Sequence, residues 1–454
     1  MCFKRKTTSS NKTNAPDKGA GRAVFPPSGQ QAIQCALGFE IEICSYRFFR
    51  SPGTYGRWLE ALGHGEELPE EELHAERPYK KGELMLQGND FKVETDLGAP
   101  TNGSPIFELI TEPFEETEAG FRRLSQTFEE IERMTERISE QKEPLMPMRD
   151  LEGFGTVPAT ESEAQLFKPG EPTGHFQFTA GMALDSLPKV FEETSSESEE
   201  ETAVELDRRR EGREQLMSVS NFVSDPLQRH RTRHFHKDVS RSVLDLSTEF
   251  PILQDGELAG LAHMIGLYLI SASDPVHYVP KTFVSLLSRT DFGTMFSLLS
   301  QETKDVLRAQ GDKLWMEIFQ RLNKELGLLP LNHVIFPYGT HTKILPKGQW
   351  GRLASLSRDA WLRGIPFGHD QLCARNYPDP RFAGDLGSLG ALADKTDKVG
   401  KNGSKRGVIL EFRNANKSQH HKAWKSFAEA CFRYIYAKNR GLDVTFMEGV
   451  EVRD

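Results

Sequence analysis

Charged side chains set inside runs of large apolar residues constrain this chain more than any other feature. "LGFEIEI", Leu37–Ile43, puts Glu40 and Glu42 between Phe39, Ile41 and Ile43, in a run that otherwise reads as buried β-strand. "FKVETD" sets Glu94 and Asp96 beside Val93 and Thr95. "GHFQFTAG" sets His175 and Gln177 beside Phe176 and Phe178, and "VILEFRNA" sets Glu411 and Arg413 beside Leu410 and Phe412. A fifth run, "IFELITEPF", adds Glu108 and Glu112. Successive strand side chains point to opposite faces, so residues two apart share a face. Each run therefore predicts one face of ionisable or amide groups and one of large apolar groups.

Half-solvated antiparallel strands also alternate polar with apolar residues. Their outer positions usually mix Thr, Lys, Ser and Arg with carboxylates. Here the polar positions are carboxylate, imidazole, amide and guanidinium, and the intervening residues are bulky, which argues for strands central to a sheet. If these strands are neighbours, their carboxylates converge. Two unit charges about 4 Å apart repel by roughly 4 kcal/mol at an effective dielectric near 20, so such a cluster needs cations. All-oxygen ligands with an imidazole or an amide suit Mg²⁺ or Mn²⁺ better than zinc, and an arginine in the same cavity suits an anion such as phosphate. Metal, arginine and carboxylates together point to phosphoryl chemistry on a nucleotide. Lys281 and Arg289, in "VPKTFVSLLSRTDFGTMFSLLS", are candidate additional phosphate contacts, with a structural surface role as the alternative. A glycoside hydrolase also uses paired carboxylates, but has no reason to add an E-x-R strand and a His/Gln strand, and acts without ATP.

The remaining sequence sets the frame for these runs. The 454 residues suffice for one large or two ordinary domains, and a net charge of −9 gives no nucleic-acid footprint. Five scattered cysteines without CxxC spacing fit a reducing, cytoplasmic compartment. No apolar run approaches the ~20 residues of a membrane span. The first 31 residues read as a basic, disordered tail, and 32–454 as a single domain carrying a charged flexible insertion around 192–216. "EELPEEELHAERPYKKGE", between Trp58 and Glu83, suggests a surface excursion between strands. Phe121, Leu124, Phe128, Ile131, Met134 and Ile138 recur at helical steps within Glu115–Glu140, a helix expected to cover one sheet face. "LAGLAHMIGLYLI" predicts a buried helix over 258–270 in which His263 is a satisfied core histidine. A last helix is predicted from about Lys422 to Lys438. "QRHRTRHFHKD", with His230, His234 and His236, reads as a solvated basic loop, and Trp361–Leu389 as irregular.

The ordered set "GFEIEI", "VETD…FELITEP", "TGHFQFTAG" and "GVILEFRNA", spread over about residues 37 to 416, resembles the carboxylate–amine ligase superfamily that includes glutamine synthetase, glutamate–cysteine ligase and the amidoligases. The resemblance implies an α+β fold, with a curved, mainly antiparallel sheet and helices on its convex face. It implies an ATP- and Mg²⁺- or Mn²⁺-dependent enzyme that joins a carboxylate to an amine through an acyl phosphate. At the matching positions Glu40 and Glu42 would serve different metal ions, and Asp96 and Glu108 would complete the metal cluster and approach the substrate, with Glu94 a further candidate. His175 or Gln177 would take the place of the family's histidine, although Gln177 departs from the usual H-x-H. Glu411 and Arg413 would be the late E-x-R, Glu411 toward metal and Arg413 toward the transferring phosphoryl group. The substrates could be small molecules or protein side chains. The alternatives are a delivered effector toxin of the same fold that cross-links or modifies a host protein, and a diverged relative without ligase activity.

Overall fold

The computed structural model describes residues 35–57, 79–96, 105–195, 226–271, 286–310, 312–328, 330–333, 357–367, 407–413 and 419–442. The predicted tail, nearly all of the charged insertion, most of the 58–83 excursion and Lys281 lie outside them. The strands are β1 (Ala36–Phe49), β2 (Leu84–Gln87), β3 (Phe91–Asp96), β4 (Ile106–Thr111), β5 (Phe114–Glu115), β6 (Leu145–Pro147), β7 (Gln165–Phe167), β8 (Thr173–Met182), β9 (Leu286–Ser288), β10 (Val408–Phe412) and β11 (Gln419–His420). The helices are α1 (Glu118–Glu140), α2 (Leu187–Ser195), α3 (Pro226–Glu249), α4 (Gly256–Ser271), α5 (Phe292–Leu298), α6 (Gln301–Ala309), α7 (Asp312–Glu325), α8 (Arg358–Gly364) and α9 (Trp424–Asn439).

The main sheet runs β2-β3-β4-β1-β8-β10-β9, and these neighbours pair antiparallel. The fold is α+β, with an antiparallel sheet backed by helices. All the alternating runs of the sequence lie in its five adjacent strands β3, β4, β1, β8 and β10.

The apolar sides of those runs form one face, covered by α1 and α9. Phe39 meets Phe128 of α1 edge-on with ring centroids 5.3 Å apart, and Phe176 meets Trp424 and Phe427 of α9 at 5.9 and 5.0 Å. Phe178 stacks on Phe412 at 4.4 Å, which ties β8 to β10. Helix α1 begins at Glu118 rather than Glu115 because Thr117 caps it, its Oγ1 accepting from Gly120 N at 3.0 Å. A Cβ on Gly120 would lie 1.9 Å from Glu115 O, so only glycine lets the helix start this close to β5.

Two loop expectations change. "QRHRTRHFHKD" falls within α3. His236, Val239, Val243 and Leu246 follow at helical steps and are all buried, so the apolar stripe carries the helix through its basic stretch. Likewise Arg358–Gly364 is helical, with Ser357 Oγ accepting from Ala360 N at 3.1 Å, and Trp361 is buried against Tyr268 and Phe292. Residues 368–389 of the stretch read as irregular lie outside the described residues. His263 behaves as expected. It is buried in α4 with Nδ1 2.7 Å from Ala259 O, and burial pushes its pKa down to about 4. Among the described residues no helix is long and apolar enough to cross a membrane.

Phe39 sits where β1, β8 and α1 meet and is 1% exposed. Phe39→Ala is expected to cost about 3–5 kcal/mol, read as a lower urea midpoint with an unchanged m-value.

Candidate functional site

The antiparallel register turns the sequence dyads into rows. Glu94 of β3 lies opposite Glu108 of β4, Glu108 opposite Glu42 of β1, and Glu42 opposite His175 of β8. In the next row Lys92, Ile110, Glu40 and Gln177 are aligned in the same way. Asp96 pairs with Ile106 at the end of β3. Glu411 of β10 lies opposite Thr179, and Arg413 follows one residue past the end of β10. Directly opposed residues share a face, so these polar groups stand on the side away from α1 and α9.

The site has two halves. In the first, one carboxylate oxygen each from Glu42, Asp96 and Glu108 lie within 4.8 Å of one another. Asp96 and Glu108 are buried and Glu42 is half-buried. Gln177 Nε2 donates to Glu42 Oε1 at 2.8 Å, so the amide orients a carboxylate. Glu108 carries the electrostatic cost most plainly. Burial, then the charges of Asp96 and Glu40, push its carboxyl up to about 7, against the pull of Lys81. Burial and Asp96 also raise Glu42, opposed by Arg413, Lys81 and His175. Lys81 Nζ reaches Asp96 Oδ1 at 2.5 Å. Burial alone would lower its pKa, but the bond to Asp96 and the charges of Asp96, Glu108 and Glu42 raise it. Glu94, in the same row, is paired with Lys92.

In the second half Glu411 is 2% exposed and both of its oxygens are taken by arginines. Arg289 approaches Oε2 through Nη2 and Nε, each at 2.5 Å, and Arg413 Nη1 lies 3.0 Å from Oε1. The backbone fixes Arg289 as well, its N donating to Ile409 O at 2.8 Å. A buried carboxylate is stable only when paired, so Glu411 acts here as the anchor that aims two guanidinium groups. Glu40 connects the halves: burial raises its pKa first, then the charge of Glu411, against Arg289 and Arg413, and then Glu42.

The expected site residues other than Lys281 are thus brought to one face. Glu42, Asp96 and Glu108 form the carboxylate cluster, with Gln177 bonded to it and His175 in its row. Glu411 stands with the arginines rather than in that cluster, and Glu112 is exposed beyond the end of β4. Lys81 was not legible in the sequence: it lies fifteen positions before Asp96, and "KKGE" signals only a turn. Three mutually repelling oxygen ligands fit a hard divalent cation such as Mg²⁺ or Mn²⁺, and the arginine pair fits an anion.

No protein-family model and no curated protein matches the chain. A solved structure of a Vibrio cholerae toxin from the MARTX/VgrG family aligns over 87% of this chain and 96% of that one, at 13% identity and a TM-score of 0.36. At that level of likeness the site rests on its own geometry.

Glu108 also fixes a pH dependence. Its folded pKa of about 7 lies above the ordinary 4.5, so the folded state holds the proton more tightly. In metal-free protein the resulting stability is fully present below about pH 4.5 and is lost as pH rises through about 7. Glu116, raised to about 7 mainly by burial, adds the same slope, so the comparison must be with a variant. In urea unfolding with a chelator present, Glu108→Gln should be more stable than wild type at pH 8 by on the order of 1–3 kcal/mol, with the gap closing toward pH 5.

Proposed function

We propose that this chain is an ATP- and Mg²⁺-dependent carboxylate–amine ligase that forms an amide or isopeptide bond through an acyl phosphate. The observation that supports the reading most is the pairing of two sites on one sheet face: the Glu42–Asp96–Glu108 cluster and, across Glu40, two guanidinium groups held by buried Glu411. An amine does not displace oxide from a carboxylate, so the acid has to be activated first, and ATP supplies the phosphoryl group. Glu42, Asp96 and Glu108 would hold Mg²⁺, with Glu40 as a further ligand and His175 and Gln177 beside them. Bound there, the metal would neutralise charge on the phosphates. Arg413 and Arg289 would stabilise the transferring phosphoryl group, and Glu411 would keep both in place. The amine then attacks the acyl carbon, the C–O bond to the phosphoryl group breaks with release of inorganic phosphate, and a base takes the amine's proton. Both substrates, a carboxylate and an amine, could be free small molecules or protein side chains. Cys35, Cys44 and Cys431 are free thiols, which is compatible with action in a reducing compartment.

The test is release of ADP by purified protein with ATP and Mg²⁺ across a panel of carboxylates and amines. Release that requires both an acid and an amine supports ligation, and release indifferent to both argues for another chemistry. Glu42→Gln keeps shape while removing a ligand charge, so it should fold normally and lose turnover; full turnover would remove Glu42 from the metal site. Arg413→Lys leaves Arg289 to neutralise Glu411, so it should melt close to wild type and bind nucleotide within about tenfold. A lysine cannot reproduce the planar fork, so single-turnover ADP formation should fall on the order of a hundredfold or more.

A further inference from the structure

The turn before β2 carries a cation into the carboxylate cluster. Lys80–Glu83 form a β-turn closed by Glu83 N donating to Lys80 O at 3.3 Å, with Gly82 at φ +79° in its third position, a conformation that favours glycine there. Thr95, fully buried in β3 and adjacent to Asp96, holds this turn from three directions. Gly82 N donates to Thr95 O at 2.7 Å, Thr95 Oγ1 donates to Lys80 O at 2.5 Å, and Glu83 N donates to Thr95 Oγ1 at 3.0 Å. The backbone of Lys81 is therefore fixed beside the cluster. Its side chain is not: it is 64% exposed, and only its end meets Asp96, whose side chain is 10% exposed.

We propose that Lys81 is a tethered cation that occupies the Glu42–Asp96–Glu108 cluster in the metal-free protein and is displaced by the divalent ion. The proposal rests on the metal reading given above and adds to it a residue that sets the metal's affinity. An ammonium at 2.5 Å from Asp96 Oδ1 neutralises one of the three carboxylate charges and takes an oxygen that a metal would need. A metal ion carries twice the charge and can contact all three ligands at once. The displaced ammonium can swing on its flexible stem into water without moving the pinned turn. The cluster is thereby kept from carrying three uncompensated charges between metal-binding events, and the metal must compete for its site.

Mn²⁺ alone, without nucleotide, is the probe, titrated into the full chain by calorimetry at one fixed pH. Lys81→Met keeps the stem and removes the charge, and Lys81→Gln is a second, polar variant in case the first folds poorly. Both should bind Mn²⁺ about three- to tenfold more tightly than wild type, while Lys81→Arg, which keeps the charge, stays near wild type. Mn²⁺ should also raise the melting temperature of Lys81→Met more than that of wild type. Affinity unchanged or weakened in both neutral variants, with Glu42→Gln still abolishing binding, would overturn the role of Lys81 and leave the metal site standing. Absence of Mn²⁺ binding in wild type and in Lys81→Met alike would overturn both.

Discussion

Repulsion among carboxylates on adjacent central strands is the constraint around which this structure is arranged. Glu94, Glu108 and Glu42 stand directly opposite one another across β3, β4 and β1, where like charges destabilise a sheet. Two features offset this. On the far face Phe39, Phe176, Phe178 and Phe412 pack against each other, and α1 and α9 supply Phe128, Trp424 and Phe427. On the near face four of the carboxylates have a compensating group within reach: Lys92 for Glu94, Lys81 for Asp96, Gln177 for Glu42 and two arginines for Glu411. Proteins retain such costs where function requires them.

Another buried carboxylate shows by contrast what sets the cluster apart. Glu116, just before α1, accepts from Asn439 Nδ2 at 2.6 Å and from Arg440 Nη1 at 2.9 Å, and Asn439 also bonds Gly181 O and Ala183 N. This network ties the end of α9 to β8 and to the start of α1. It is a staple between helix and sheet, remote in character from the cluster of Glu42, Asp96 and Glu108, where three acids face one another. Burial raises Glu116 and Glu108 to about the same value. What distinguishes them is the neighbour: a guanidinium holds Glu116 in place, whereas other carboxylates help to raise Glu108.

The period-two alternation of Phe39–Ile43, Phe91–Asp96, His175–Phe178 and Leu410–Arg413 was sufficient to place the polar groups on strands, or for Arg413 one residue past the end of one, and to pair each with its face, because side-chain direction in a strand is a local property of the backbone. The same holds for the apolar stripes of α1 and α9, and α4 was legible as a run apolar on all sides. Local pattern misled where the stripe began late, as at His236 in α3, and where a seven-residue helix around Trp361 was too short to show a period. What only the tertiary structure decided is register and partnership. Whether Glu411 would join the carboxylate cluster or a pair of arginines depended on which residue of β8 it opposes, and a shift of one position reverses every face. Lys81 meets Asp96 because Thr95 pins a glycine turn to β3, a contact made by hydrogen bonds between segments that no sequence period connects. The chain thus specified its ionisable face residue by residue, while the division of that face into a carboxylate cluster and an arginine clamp arose from long-range strand pairing, where distance in space is not distance along the chain.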